Sequence, residues 1–373
     1  MLFYLILFSF VLIWYRCEQL VCIPMVNSHF KYKQNISPLI ILSIYAIISG
    51  FRYDLGGSDY EYYQYFYDRI TSCPNLILAY AESEYEVGYT LFIYICSHYL
   101  NLSFNGYLVV ESVLFYTFMY LGLRKYVPSW GLFLILFTYK IFFYVTFVAM
   151  RQAITVAGFY YIMKFLESRN FIKYHVALSL VATFHYGALL LFVLYPLRNV
   201  NFTRRLLVIL GLVFAILTPF AGLTGTIISF GVSVLGLNSL EDKAAGYTGG
   251  ESLNILYTIE YYIIYLGLLK FYDQIVKYKH SQFMIYLFVL VLPIVTILRS
   301  SSIFVRELFY FYPSYAFILF YIFKFNKKNA FFYKFIFSTL CLAGVIKYLI
   351  QFGNGCLMPY NTWIFNPEIN FFK

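Results

Sequence analysis

Apolar residues in this chain come in runs of roughly 15–23, close to the about 20 that a bilayer-spanning helix needs. Twelve such runs fall near 1–15, 36–50, 87–101, 106–123, 130–147, 151–167, 176–196, 206–222, 254–271, 282–298, 307–324 and 331–350. Only 12% of the 373 residues are charged, against about 25% in soluble domains. A water-soluble fold has nowhere to bury that much apolar surface. The pattern therefore predicts an all-α, polytopic integral membrane protein of about 10–12 hydrophobic helices, leaning toward ten crossings. With no internal repeat and no low-complexity linker, residues 1–373 read as one membrane domain.

The longest polar interval is Phe51–Tyr89, where seven carboxylates (Asp54, Asp59, Glu61, Asp68, Glu82, Glu84, Glu86) meet two cations, Arg52 and Arg69. Such a stretch must sit in water, so 51–86 is expected to be a large external loop. Basic loops mark the cytoplasmic side. His29-Lys31-Lys33, Arg198 to Arg205, Lys277 to His280 and Lys324 to Lys328 obey this rule if 51–86 is outside. The 223–253 interval and the tail from Gln351 to Lys373 then also fall outside. Arg124-Lys125 and Ser168 to Lys173 break the pattern if every run crosses. Both are repaired if 87–123 crosses once and Val176–Pro196 enters and returns without crossing; irregular backbone at depth is tolerated where it lines a polar cavity.

The net charge of +10 is spread over these loop clusters, so it marks topology and argues against nucleic acid as a partner. Met1–Tyr15 lacks a basic leader and a small-residue cleavage site, and reads as a first span. The six cysteines show no metal spacing, and no metal or cofactor is expected. A disulfide between Cys73 and Cys356 is conceivable, since both are placed outside. Walker A, dinucleotide, HExxH and GxSxG motifs are absent,.

Candidates for chemistry are therefore ionisable groups at membrane boundaries, which are costly there. Arg52 ends the second run, where it either snorkels or binds an anion. Asp59, Tyr63 and Tyr67 recur at four-residue spacing, and on a helix they share a face. Rings stack on a sugar's apolar faces while a carboxylate accepts from its hydroxyls; Tyr60 joins this sugar-binding set. Arg151, flanked by about twenty apolar residues on each side, needs a partner. That partner is either a phosphate-type oxyanion held by its planar fork or an internal carboxylate. His185 lies inside ALSLVATFHYGALLLF, either packed and hydrogen-bonded or catalytic. Arg299 and Arg306 bracket SSSIFV on the expected external side, against the positive-inside trend, and suit anion binding. Glu111, Lys140, Glu260, Lys347 and His98 read as structural partners within the spans.

One ordered series runs through most of the chain. It comprises Arg52 with Gly56/Gly57, Asp59 and Tyr63; Glu86-Val-Gly88-Tyr89; Met150-Arg151-Gln152-Ala153; Ala182-Thr-Phe184-His185; Arg306; and Pro359-Tyr360. In this order and spacing it resembles the EpsG-like branch of the Wzy family, the bacterial polymerases of O-antigen and capsular repeat units. The resemblance implies a multi-pass protein of the bacterial cytoplasmic (inner) membrane. It implies a polyprenyl-pyrophosphate-linked glycan donor and a second polyprenyl-pyrophosphate-linked repeat unit as acceptor, with a flippase and a chain-length regulator as further partners beside the lipid bilayer. The acceptor hydroxyl would attack the donor's anomeric carbon and polyprenyl pyrophosphate would leave, without nucleotide or cofactor.

On that basis charge assigns the roles. Arg151 and Arg306, then Arg52 and Arg299, would bind the pyrophosphate, each oriented donor contributing roughly 3–4 kcal/mol. His185 or Asp59 would act as general base, an effect of about 10²–10⁴-fold, with His185 preferred because an imidazole titrates near neutral pH. Tyr60, Tyr63 and Tyr67 would hold the sugar. The rival functions are a flippase for the same lipid-linked units, which predicts two pseudo-symmetric halves, and the related ligase that moves finished glycan to lipid A. A sugar acyltransferase or a scaffold fits the residues less well.

Overall fold

The computed structural model describes residues 1–21, 37–222, 253–353, 355–366 and 369–373. His29, Lys31, Lys33 and, apart from Leu253, the expected external loop 223–253 lie outside the described residues. Among the described residues every regular element is helical, as the apolar runs predict. The chain divides into two compact units, one of Met1–Tyr195 with Phe331–Lys373 and one of Pro196–Ala330.

In the first unit, α1 (Leu2–Val21) packs antiparallel to the segment opened by α7 (Trp130–Phe137). The Tyr4 ring lies 5.1 Å from Phe143 near that segment's end. At its start, the Glu18 carboxylate accepts from Ser129 Oγ at 2.7 Å, Trp130 N at 3.0 Å and Gly131 N at 2.9 Å. A carboxylate belongs there, because the first N–H groups of a helix lack partners and carry partial positive charge. After α7 the backbone takes π turns over Thr138–Phe142 and Tyr144–Val148, then breaks at Ala149 (φ −95°, ψ 57°). The break starts α8 (Met150–Glu167) in a new direction and brings Arg151 onto its first turn.

α2 (Ser37–Gly50) meets α6 (Phe104–Leu123) where Gly50 has no side chain; a Cβ there would lie 3.0 Å from Val109 Cα. α6 and α8 run parallel. Gly122 abuts the Tyr160 carbonyl, and Lys125 pairs with Glu167 at 3.2 Å. The loops after both helices, with Arg124-Lys125 and Ser168 to Lys173, therefore share one end of the unit.

The polar segment 51–86 caps the opposite end. It carries α3 (Ser58–Ser72) and α4 (Leu76–Ala81), the latter capped by Asn75, which accepts from Leu78 N at 2.9 Å. α3 buries Tyr60, Tyr63, Phe66, Tyr67 and Ile70, an i, i+3, i+6, i+7, i+10 stripe, and exposes Asp59, Glu61, Tyr62, Tyr65 and Asp68. That is how an amphipathic helix lies on an apolar body. α5 (Val87–Tyr94) continues through a π turn at Ile95–Tyr99 and folds back alongside α6, with the Tyr107 hydroxyl donating to that of Tyr89 at 2.9 Å. Its far end stays against the cap, where His98 Nε2 meets the Cys73 carbonyl at 2.9 Å. Within 87–123 only α6 is long and apolar enough to cross a membrane.

α9 (Phe171–Ala182) stops at Thr183–His185, and the chain returns through a 3-10 stretch, Tyr186–Val193, and α10 (Leu194–Leu197). The Tyr174 hydroxyl donates to the Leu191 carbonyl at 2.7 Å, and Tyr174 stacks on Tyr195 at 5.8 Å. The run thus turns back on itself. The C-terminal segment also lies on the cap. Gly56 N donates to Cys356 O at 2.7 Å, Tyr53 N to Asn361 O at 3.1 Å, and Ser103 N to Phe371 O at 3.0 Å. Cys73 and Cys356 are free thiols, so the conceivable disulfide is not formed.

The second unit contains α11 (Arg204–Leu217), α12 (Ile255–Ile275), α13 (Ser281–Val289), α14 (Leu292–Val295), α15 (Ser302–Glu307) and α16 (Tyr312–Phe325). Two of its buried tyrosines satisfy their hydroxyls on carbonyls of neighbouring helices: Tyr261 on Phe288 at 2.9 Å and Tyr265 on Leu207 at 2.6 Å. Buried phenols need such partners. α17 (Ala330–Phe352) leads back into the first unit.

By length and composition, three helices among the described residues can cross a membrane: Phe104–Leu123, Arg204–Ala221 and Lys327–Phe352. A fourth forms if Phe304–Tyr310 and Tyr312–Phe325, bent by 59°, make one span. Five shorter apolar helices of 10–17 residues accompany them. A break inside the run 176–196, at Thr183–His185, accounts for helices there shorter than the run itself.

Candidate functional site

Three segments far apart in sequence meet at Glu86, the residue before α5. Gly88 makes the meeting possible. Its N–H donates to the Thr183 carbonyl at 2.9 Å, and a Cβ at Gly88 would fall 2.1 Å from Thr183 Oγ1. The start of α5 is thereby seated against the broken end of α9. There His185 is extended (φ −160°, ψ 117°), which turns its ring Nδ1 to Glu86 Oε1 at 3.3 Å while Tyr186 N donates to the same oxygen at 3.2 Å. The other oxygen, Oε2, accepts from Arg151 Nη1 at 2.6 Å.

Arg151 arrives from the third segment, and two glycines help to place it. A Cβ at Gly56 (φ +138°) would lie 2.4 Å from the Phe147 carbonyl, and Gly57 (φ +63°) abuts Cys356 Sγ. Only glycine accepts both the conformation and the contact. The Gly56-Gly57 loop can thus press on the backbone just before the Ala149 break. The Arg151 guanidinium lies 4.0 Å from the Tyr85 ring centroid, and its Nε reaches the Tyr63 hydroxyl at 3.5 Å. Arg69, forked to Glu82 (2.7 Å) and Glu84 (3.0 Å), ties α3 to the strip that carries Tyr85 and Glu86. The Tyr62 hydroxyl also donates to Glu84.

The Glu86 side chain is 7% exposed, while Arg151 and His185 keep 25% and 23%. Burial works to raise the Glu86 carboxyl. The His185 hydrogen bond and the Arg151 charge outweigh it and hold the group down at about 2. Glu86 is thus a fixed anion that orients one cation and one imidazole, both open to solvent on another edge. Such a set can place positive charge on an oxyanion while presenting an imidazole nitrogen to a nearby proton.

The remaining expected residues are distributed as follows. Asp59 is exposed in the first turn of α3. Tyr60, Tyr63 and Tyr67 are 2%, 6% and 1% exposed, and Tyr67 donates to the Leu102 carbonyl at 2.8 Å. Their shared face is the inward one, and the rings open to solvent on α3 are Tyr62 and Tyr65. Arg52 is fully buried, with its guanidinium over the Phe147 ring at 5.2 Å. Arg299 and Arg306 belong to the second unit. There Arg299 Nη1 donates to the Leu253 carbonyl at 3.3 Å, and Arg306 is half-buried at the end of α15. His98, stacked on Tyr94 at 4.0 Å, is structural. Sequence reasoning singled out Arg151 and His185 but gave Glu86 and Tyr85 no role. The need of Arg151 for an anion, together with Glu86 beside Gly88, was the signal available.

A family model described as the EpsG family matches residues 35–362. No curated protein and no solved structure matches the chain.

Proposed function

The chain belongs to the EpsG family, and from that membership and the Glu86-centred geometry we propose that it joins polyprenyl-pyrophosphate-linked oligosaccharide repeat units by glycosyl transfer. Family membership makes it a membrane protein of polysaccharide biosynthesis, of the glycosyltransferase-like polymerase kind. The finer reading is an O-antigen or capsule polymerase working on the external face of the bacterial cytoplasmic membrane. The observation that carries it is one buried carboxylate holding both Arg151 and His185.

With Nδ1–H donating to Glu86, the His185 Nε2 lone pair faces outward and can take a proton. The acceptor hydroxyl oxygen attacks the anomeric carbon, its proton passes to Nε2, and the bond from that carbon to the phosphate oxygen breaks. The electron pair leaves on polyprenyl pyrophosphate, where the open edge of Arg151 offsets the growing charge. Tyr62, Tyr65 and the exposed Asp59 on α3 offer a solvent-facing platform for the sugar chain. This resembles the carboxylate–imidazole arrangement of acyl-transfer enzymes, in which the carboxylate fixes tautomer and orientation.

The test is the surface polysaccharide ladder of a deletion strain complemented with variants. Arg151→Lys keeps the charge but loses the fork, and His185→Ala removes the base. Each should collapse the ladder toward single repeat units, a loss of about 10²-fold or more in long chains. Wild-type ladders from both variants would refute the assignment. The deletion itself separates functions: a missing polymerase leaves single units on the final acceptor, a missing flippase leaves none, and a missing ligase leaves polymer on its polyprenyl carrier.

A further inference from the structure

Arg52, two residues past the end of α2, is fully buried. Its Nη1 donates to the Ser49 carbonyl and its guanidinium lies over Phe147, while Nε and Nη2 are buried without a hydrogen-bond partner among the described residues. An arginine does not lose its proton in a protein, so this charge needs an anion within the protein or on a ligand. Across the α2–α6 contact, where Gly50 touches Ser112, lies Glu111, 4% exposed and within electrostatic reach of Arg52. Ser49, Glu111, Ser112 and Thr146 are among the residues lining a cavity of about 10 Å³, which Ser49, whose carbonyl accepts from Arg52, joins to Arg52 although Arg52 does not line it; it has room for about one water with several polar neighbours.

We propose that Arg52 and Glu111 form an internal ion pair across the α2–α6 contact, with a water beside Glu111 in this cavity, and that the pair positions Arg151. The route is short: Arg52 rests on Phe147, whose carbonyl supports Gly56, and Phe147 precedes by two residues the Ala149 break that aims Arg151. Arg52 is then a positioning residue whose charge is spent inside the protein, and the pyrophosphate is left to Arg151. The polymer-length arm below rests on the proposed function; the stability arm does not.

The test uses the full chain in detergent and in the complemented deletion strain, with Arg52→Met, Glu111→Leu and the double variant. Removing one member of a buried pair strands the other, whereas removing both is often tolerated. Each single variant should lower Tm and shorten the ladder, and the double variant should be more stable than either and recover long chains. Additive Tm losses would overturn the pair. A double variant that regains Tm while the ladder stays collapsed would make Arg52 a ligand for the substrate and overturn its positioning role. If the wild-type chain made no ladder at all, the polymerase reading would fail while the Tm comparison still decided the pair.

Discussion

Glu86→Gln should remove polymer almost completely and also reduce the acid sensitivity of the protein. The substitution keeps the shape but deletes the anion, so Arg151, three-quarters buried, loses its 2.6 Å partner and His185 loses the group that orients it. Breaking one side of a buried pair costs about 3–5 kcal/mol, and the catalytic loss should match or exceed that of His185→Ala. The pH dependence follows from the depressed carboxyl. Glu86 sits at about 2 in the folded chain against a usual 4.5. Its contribution is therefore complete above about pH 4.5 and disappears as pH falls toward 2, roughly 3 kcal/mol in all. Unfolding midpoints of purified protein between pH 5 and 2 should fall more steeply for wild type than for Glu86→Gln. Parallel curves, or an intact ladder in that variant, would remove Glu86 from the centre of the site.

Gly88→Ala is the second substitution with a large expected effect, although it touches no charged group. The new methyl would fall 2.1 Å from Thr183 Oγ1 and 3.0 Å from the Thr183 carbonyl carbon. No side-chain rotation relieves the second contact, so α5 and the end of α9 must separate. Overpacking of this kind costs about 1–3 kcal/mol. Here the displacement also carries His185 and Tyr186 N away from Glu86. A lower Tm and a shortened ladder should appear together, and Thr183→Ala added to Gly88→Ala should restore part of both by removing the closest atom. A silent Gly88→Ala would mean that α5 and α9 are not held as described.

Much of the fold was legible in the sequence because hydrocarbon imposes strict rules on composition. The apolar runs, the polar cap at 51–86 and the reversal at His185 all follow from where charges can and cannot be placed. The π turns before Ala149 left no clear mark, since residues 130–148 are apolar apart from Gly131, Thr138, Lys140 and Thr146 and contain no proline. At the site, the isolation of Arg151 announced a partner. Nothing in spacing chose Glu86 from seven carboxylates, because the contact spans 65 residues and depends on a glycine's close approach to Thr183. The tyrosine stripe of α3 had the right period but two possible faces. Apolar neighbours Phe66 and Ile70 on the same stripe decide for the inside; Tyr62 and Tyr65 remain for solvent.

The C-terminal segment gives the cap an unusual dependence on time. Tyr360 donates to the Ile48 carbonyl across 312 residues of chain, and Gly56 rests on Cys356. Residues of α2, α6 and α8 leave the ribosome long before those contacts can be made. During synthesis, then, these helices wait with the Gly56-Gly57 loop unsupported, and assembly closes late, through pairings about 300 residues apart in sequence,. Chains cut short of residue 355 should insert normally yet never finish the pocket that holds Arg151.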